Sequence, residues 1–348
     1  MNNCVRRLIA VVALSGAISM FAQSTAEKPA IQSPETKAQD VDSSGTRSQR
    51  ATEKATSLAK VIAAASKGGT FKPVSTDQLK KVERLFQRTI LRLDETASRL
   101  DAASSPDGLV ADWRRMRMNL HCREFKSSNA KERRTCWVLQ ESEDAKWGRG
   151  FYLFNSHAEI RQTAIQAPHS FFDKHTRAIN VRMFETGQVA AAAWNTVRRA
   201  DVDLAHHRFH YLNSFTSAWA NVHSHGSVVQ LHGFANDKRK TAAGKIADLI
   251  ISDGTRYPAN RVRRIATIAK EQLNASSHAS TGKLNVMLYP VDCAELGATS
   301  NTQGKLLRDQ GQTGFVHLEM SAKLRELLRR NASVTGEFLK SLLSIYRH

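Results

Sequence analysis

The sequence lacks the short motifs that mark several large enzyme classes. It contains no Gly-x-Ser-x-Gly nucleophile elbow, no glycine-rich phosphate loop and no dinucleotide-binding fingerprint. The motifs therefore give no support to a serine hydrolase of the nucleophile-elbow type, to a nucleoside triphosphatase or to a nicotinamide-dependent oxidoreductase. Long apolar runs are scarce as well, and apart from one near the N-terminus no segment is apolar enough to cross a membrane.

Acidic residues are few relative to basic ones. The chain has 32 Asp and Glu residues against 51 Lys and Arg residues, a formal net charge of +19. Such an excess favours anionic partners, among them nucleic acid, an anionic membrane face, acidic polymers and cell-wall material. No nucleic-acid-binding motif accompanies the charge, so we expect no nucleic-acid partner. A basic face that is merely solvated is the alternative.

The N-terminal residues have the three parts of a secretory signal peptide. Arg6 and Arg7 form a positive region, Leu8–Phe21 is an uncharged apolar run, and small residues up to Ala26 offer a cleavage site. The run is too short to span a bilayer comfortably. We therefore predict a signal peptide over residues 1–26 and an exported protein, periplasmic or secreted, with no membrane span after cleavage. An uncleaved membrane anchor is the alternative.

Composition divides the remaining chain into three parts. Residues 27–54 hold almost no large apolar side chain, which predicts a disordered leader. Apolar residues at helical spacing, followed by a second basic helix through Trp113 and Met118, predict a helical N-terminal subdomain over residues 55–146. Short apolar runs then alternate with amphipathic helices over residues 147–348, which predicts an α/β domain with a largely parallel, mixed sheet and helices on both faces.

Cysteine is rare, with four residues in the chain, of which one precedes the predicted cleavage site. Cys122 and Cys136 lie close in sequence, are separated by a polar, basic loop, and would face an oxidising compartment after export. Their spacing is a poor match to a zinc-binding pattern. We therefore predict a disulfide between them, which leaves Cys293 as an odd thiol.

Polar side chains follow several predicted strands, at the edge of the sheet where ligands bind in such folds. His169 and Asp173 follow the strand that ends at Ala167, His232 ends another, and Glu319 lies on the last. A hydrolytic zinc site needs three ligands from His, Asp or Glu, an open position and a nearby carboxylate base. The two histidines and Asp173 could be the ligands, and Glu319 the base. Histidines that merely hydrogen-bond loop carbonyls are the alternative.

At these positions the sequence resembles the zinc carboxypeptidase-like amidohydrolases, a superfamily that includes N-formylglutamate amidohydrolases and phage-type poly-γ-glutamate hydrolases. The resemblance covers about half of the chain, roughly residues 163–330. It rests on the order of four motifs: Pro168-His169 with Asp173, Leu231-His232-Gly233-Phe234, Leu296-Gly297-Ala298-Thr299-Ser300-Asn301, and His317-Leu318-Glu319-Met320-Ser321.

The resemblance implies a Zn²⁺ ion and hydrolysis of an amide bond, often beside a glutamate-like carboxylate. It implies that His169 and His232 are metal ligands, with Asp173 as the third, and that Glu319 is the general base. Asn301 or Arg308 would then hold a substrate carboxylate. One departure concerns the third ligand. The zinc carboxypeptidases place a glutamate three residues after the first histidine, where this chain has Phe172, and Asp173 comes one residue later.

A second group of polar residues precedes the helix predicted from Tyr211. It comprises Asp203, His206, His207 and His210. This group could line the same cleft as a proton relay or an extra ligand, or it could be a polar loop surface.

Taken together, the patterns predict an exported zinc-dependent amide or peptide hydrolase. Its substrate would be a carboxylate-bearing peptide or amide, acidic or derived from the cell wall. The alternative is a non-catalytic envelope protein that binds an anionic polymer through its basic face.

Overall fold

The computed structural model describes residues 57–65, 69–98, 107–126, 133–275 and 282–343. The predicted signal peptide and leader lie outside these ranges. The helices are α1 (Leu58–Ala65), α2 (Thr76–Ser98), α3 (Asp107–Arg115), α4 (Thr176–Glu185), α5 (Tyr211–Val222), α6 (Ala242–Ile246), α7 (Asn260–Leu273), α8 (Thr302–Asp309), α9 (Ala322–Arg330) and α10 (Ala332–Leu343). The strands are β1 (Met118–Lys126), β2 (Arg133–Glu141), β3 (Phe151–Phe154), β4 (Ile160–Ala167), β5 (Val189–Trp194), β6 (Ser227–Gly233), β7 (Leu249–Ser252), β8 (Val286–Leu288) and β9 (Phe315–Met320).

Within the described ranges the strands form one nine-stranded mixed sheet in the order β1-β2-β3-β5-β4-β6-β9-β7-β8. The central strands β5, β4, β6 and β9 are parallel to one another. Strands β1, β2 and β3 extend one side of the sheet in antiparallel fashion, and β7 pairs antiparallel with β9 on the other side. The predicted α/β class, with a sheet that is parallel in its centre, is confirmed.

Alternating side chains of the central strands point into two different apolar clusters. One face of the sheet packs against α1, α4, α7, α9 and α10, and includes Val229, Leu231 and Leu318. The other face packs against α2, α3, α5 and α8, and includes Val228 and Phe315. Because strand side chains alternate, Gln230 and His232 lie on the same face as Val228, and Glu319 on that of Phe315. The face covered by α5 and α8 therefore carries buried polar residues near the carboxyl ends of the strands.

The helical interpretation of residues 118–126 and 133–141 is wrong. Helices α1, α2 and α3 form as predicted, but α3 ends at Arg115, and Met118 begins β1. Strands β1 and β2 pair along nine residues each and extend the sheet beyond the predicted boundary at residue 147. Each strand buries apolar side chains in both clusters, as Leu120 and Phe125 do from β1. Two-sided burial in a strongly basic segment hides the period-2 pattern that normally indicates a strand.

The predicted disulfide is also wrong, since Cys122 and Cys136 are free thiols. They lie on neighbouring strands, but Cys122 is paired with Trp137, and Cys136 with Arg123. Directly opposed residues of an antiparallel pair share a face, and successive residues alternate. This one-residue offset therefore sends the two thiols to opposite faces of the sheet, in a geometry that cannot close a disulfide.

Over the part of the chain that the structure describes, no helix combines the length and the apolar character needed to span a bilayer.

Candidate metal centre

Two of the predicted ligands lie on the turn that follows β4. The backbone N–H groups of Phe172 and Asp173 both donate to the carbonyl oxygen of His169, at 3.0 and 2.9 Å, so these residues form one helical turn. Side chains four positions apart in such a turn face the same side. The turn thus brings the buried side chains of His169 and Asp173 together, while Phe172 between them is 65% exposed.

The third predicted ligand, His232, lies at the carboxyl end of β6, which pairs in parallel with β4. Its Nδ1 atom lies 3.2 Å from Nδ1 of His169 and 3.6 Å from Oδ2 of Asp173. The distance between His169 Nδ1 and the same oxygen of Asp173 is 3.3 Å. Three atoms that can bind a metal therefore form a nearly equilateral triangle, and we call His169, Asp173 and His232 the ligand triad.

His169 is held on its other side by Asp203, which lies in the loop between β5 and α5. The Nε2 atom of His169 lies 2.8 Å from Oδ1 of Asp203, and this oxygen also accepts a hydrogen bond from the backbone N–H of Ala205 at 3.1 Å. The other carboxylate oxygen of Asp203 accepts from Nε of Arg199 at 3.0 Å and forms an ion pair with its Nη2 at 2.9 Å. Both oxygens of Asp203 thus face donors.

Charges within the triad shift the pKa values of its members. Burial alone would raise the pKa of Asp173, but the facing imidazoles of His169 and His232 outweigh burial and lower it. Burial also opposes the charged form of His169, yet its hydrogen bonds with Asp173 and Asp203 leave its pKa raised. For His232 burial dominates, and its pKa is lowered. Asp173 is therefore an anion throughout the neutral range.

Strand β9 places Glu319 beside the triad. Glu319 pairs with His232, and His317 with Gln230, so the side chains of both β9 residues lie on the face that carries the triad. Nε2 of His317 lies 3.7 Å from Oε1 of Glu319, and Oε2 of Glu319 has no hydrogen-bond partner among the described residues. Burial, reinforced by the charge of Asp173, raises the pKa of Glu319 to about 8.

A cavity of about 710 Å³ opens over the triad and is lined by residues that include Glu319. That volume lies within the range typical of pockets for small ligands. Five basic residues line it beyond the triad: Lys174, Arg199, Lys238, Arg239 and Arg325. Sequence reasoning did not single out these five residues, because they come from four separate segments that only the fold brings together.

The two predicted substrate-binding residues have different positions. Asn301 lines the cavity but is buried, and it caps α8 by accepting the backbone N–H of Gly304 at 2.9 Å. Arg308 is not among the described residues that line the cavity. Its Nη1 donates instead to the backbone carbonyl of Asp253 at 3.4 Å. The structure therefore brings Asn301 to the site and leaves Arg308 beside a neighbouring loop.

The histidine-rich segment before α5 divides between the two alternatives. Asp203 contacts a member of the triad, as described above. His210 faces the main chain, since its Nδ1 accepts from the N–H of Leu212 at 3.1 Å and caps α5, while its Nε2 bonds a backbone carbonyl at 2.9 Å. Burial and the neighbouring His207 lower the pKa of His210 to about 3. His210 is thus a neutral helix cap, whereas exposed His206 lines the cavity.

Comparison with known proteins gives a limited result. No family model and no curated protein matches the chain. Among solved structures, it is similar to zinc-free YndL with a TM-score of 0.33 and 14% identity, over 54% of this chain and 85% of that one. It is also similar to a candidate carboxypeptidase A from Shewanella denitrificans OS-217, with a TM-score of 0.35 and 8% identity over 65% of each chain. A third similar structure is the LapA aminopeptidase of Legionella pneumophila, with a TM-score of 0.30 and 8% identity over 78% of this chain and 75% of that one. At these identities and TM-scores the similarities assign neither a family nor a function to the chain.

Proposed function

We propose that this chain is a zinc-dependent hydrolase that cleaves an amide or peptide bond in a carboxylate-bearing substrate. The observation that carries the proposal is the triangle of Nδ1, Nδ1 and Oδ2 atoms in the ligand triad, with sides of 3.2, 3.3 and 3.6 Å. Zinc binds nitrogen and oxygen at about 2.0–2.2 Å in tetrahedral geometry, which separates its ligand atoms by about 3.3–3.5 Å. The three sides of the triangle bracket that value.

The protonation of His169 supports a cation inside this triangle. A carboxylate only accepts hydrogen bonds, so the ring N–H that faces Asp203 belongs to Nε2 of His169. In the neutral ring, Nδ1 then carries a lone pair that points toward the carboxylate oxygen of Asp173. Two acceptors 3.3 Å apart repel each other unless a positive charge lies between them. In the metal-free protein that charge is the proton which the raised pKa of His169 retains, and a bound cation would displace this proton. Two imidazoles and one carboxylate, with a fourth position left for water, suit catalytic zinc.

Zinc held by the triad would act as a Lewis acid on the scissile carbonyl and lower the pKa of the attacking water toward neutrality. Glu319 lies beside the triad with one carboxylate oxygen unpartnered, where it can take a proton from that water and pass it to the leaving nitrogen. Its raised pKa in the metal-free protein reflects burial, and a cation in the triad favours the ionised form that a base requires.

The cavity wall supports an anionic substrate. Lys238 and Arg239 lie in the segment that follows the end of β6 at Gly233, and both line the cavity with Arg199 and Lys174. Fixed positive charge in a concave site raises the local concentration of anions and orients a carboxylate. We therefore replace the sequence-based assignment of Arg308 with these residues and propose that they hold the substrate carboxylate.

Export is part of the proposal and rests on the N-terminal sequence. A periplasmic or secreted hydrolase with a basic cavity suits a peptide or amide from the cell wall or the environment better than an intracellular metabolite.

Metal analysis tests the proposal directly. Purified protein is expected to bind one equivalent of zinc, and His232→Ala should reduce the bound zinc to background. His225→Ala, which changes an exposed histidine away from the cavity, is the matched control and should keep the full equivalent. Zinc-loaded protein should hydrolyse N-acyl-glutamate or γ-glutamyl peptides. A wild type without bound zinc, or equal zinc content in the two variants, would show that the triad is not a metal site.

A further inference from the structure

A row of polar side chains crosses the sheet beneath the metal centre. Gln166 of β4 pairs with Gln230 of β6, which in turn pairs with His317 of β9, and all three lie on the face covered by α5 and α8. Gln166 and Gln230 are fully buried. Leaving a buried amide without hydrogen bonds is unfavourable, so the partners of these side chains determine how each amide is oriented.

One end of this network is fixed by a backbone carbonyl. The hydroxyl of Thr216 donates to the carbonyl oxygen of Leu212 at 2.8 Å, because a carbonyl can only accept. The oxygen of Thr216 is then free to accept from Nε2 of Gln166 at 2.9 Å. This orients Gln166 so that its Oε1 accepts from Nε2 of Gln230, also at 2.9 Å.

The opposite end is fixed by a backbone N–H. The amide N–H of Gly304 donates to Oδ1 of Asn301 at 2.9 Å, so the Nδ2 group of Asn301 is the one that faces Oε1 of Gln230, at 2.8 Å. Nε2 of Gln230 has a second acceptor in Oε1 of Gln303 at 3.0 Å. Both ends therefore require the same orientation, with the oxygen of Gln230 toward His232 and its NH₂ group away from it.

We propose that Gln230 is the positioning residue of the metal centre, an inference that rests on the proposed zinc function. Its oriented Oε1 lies 3.2 Å from Nε2 of His232 and accepts the single N–H of that neutral ring. The proton is thereby held on Nε2, and the lone pair of Nδ1 faces His169 and Asp173. Outer hydrogen bonds of this kind fix the tautomer and the ring orientation of metal-binding histidines.

The same network assigns a role to Asn301. Its oxygen caps α8, its NH₂ group donates to Gln230, and its side chain is buried. Asn301 thus transmits the position of the α8 N-terminus to the metal centre, and we infer that it positions Gln230 instead of contacting a substrate carboxylate.

The tautomer of His232 is directly measurable in the wild-type protein. Protein labelled with ¹⁵N-histidine and stripped of metal gives two-bond ¹H–¹⁵N spectra that distinguish the two neutral tautomers, and His232→Gln identifies the signal. We expect the Nε2–H form alone. A signal from the Nδ1–H form of His232 would overturn the inference, independently of any glutamine variant.

Two matched variants test the effect on metal binding. Gln230→Met removes the acceptor of His232, whereas Gln166→Met removes an equally buried glutamine from the same row and leaves Gln230 oriented by Gln303 and Asn301. Zinc affinity, measured by competition with a chromophoric chelator, is expected to fall about 10–100-fold for Gln230→Met. It should change by less than about threefold for Gln166→Met. Thermal unfolding of both variants checks that each is folded.

The outcomes separate this inference from the proposed function. An equal loss of affinity in the two variants would mean that the network only stabilises the fold, and the positioning role would be rejected while the zinc site stands. Failure of the wild type to bind zinc would reject the proposed function, and the positioning role with it.

Discussion

Replacing Asp203 by asparagine removes one charge and changes one acceptor atom into a donor, at nearly constant volume. Oδ1 of Asp203 accepts from His169 and from the N–H of Ala205, and its other oxygen accepts from Arg199. An asparagine in this position must aim its NH₂ group either at the guanidinium or at the pair formed by the imidazole and the backbone N–H. Each orientation opposes donor to donor, so no rotation of the amide restores the site.

The size of the effect follows from the contact that is lost. A hydrogen bond to a charged group contributes about 1.5–3 kcal/mol, and the 2.8 Å separation between His169 Nε2 and Asp203 Oδ1 indicates a well-formed one. Each 1.4 kcal/mol is about a factor of ten in affinity, so zinc should bind about 10–100-fold more weakly to Asp203→Asn. The pKa of His169 should also fall, because one of the two carboxylates that raise it is gone.

Chelator competition measures this change in zinc affinity, and Asp201→Asn is its matched control. Asp201 lies on the same loop, but it pairs with Arg198, whose side chain is 78% exposed, and an exposed pair contributes little. Asp201→Asn is therefore expected to bind zinc as the wild type does. Wild-type affinity in Asp203→Asn would refute the argument that this carboxylate orients His169.

Three further predictions concern the base, the metal and a remote acid. The variant Glu319→Gln should keep its zinc, measured as metal content, while its kcat falls by about 10²-fold or more. Retained activity would show that Glu319 is not the general base. Zinc at about 1,000 times its dissociation constant should stabilise the fold by about 4 kcal/mol, and this shift in thermal unfolding should be absent in Asp173→Ala. Burial, opposed by Arg182, raises the pKa of Glu185 from 4.5 to about 7, so the folded state retains a proton that the unfolded chain releases. The free energy of unfolding should therefore fall as pH rises from about 4.5 to about 7. The variant Glu185→Gln should raise the free energy of unfolding by about 1–3 kcal/mol at pH 8 and by little at pH 4. An equal gain at both pH values would contradict this account.

Apolar runs made the centre of the sheet predictable. Val189–Trp194 is a continuous apolar segment, and β5 has these bounds. The approach of His169 to His232 could be anticipated for a related reason, since parallel strands end at the same edge of a sheet. The helical turn that brings Asp173 beside His169 could not be predicted from the residues alone. A single i to i+4 hydrogen bond in a loop leaves no periodic pattern in the sequence.

Other parts of the site depend on contacts that no local pattern reveals. Asp203 reaches His169 through the path of the loop after β5, and its sequence neighbours are compatible with a polar surface. Gln230 stands within the apolar run Val228-Val229-Gln230-Leu231, so a buried amide in a core strand was the available signal. The role of Gln230 could not be predicted from this signal, because it depends on hydrogen bonds with Gln303 and Asn301. These residues lie in α8 and at its N-cap, more than seventy positions along the chain.

The two faces of the sheet differ in how much chemistry depends on them. Helices α4, α7, α9 and α10 cover a face whose cluster is apolar, so substitutions within that cluster act mainly on stability. Helices α5 and α8 cover the face that holds the polar row, and the N-terminus of α8 is bonded through Asn301 and Gln230 to His232 of the ligand triad. Small shifts of α8 would therefore reach the proposed metal centre through three hydrogen bonds. Efforts to make this protein more thermostable should repack the first face, where gains in stability carry the least risk to activity.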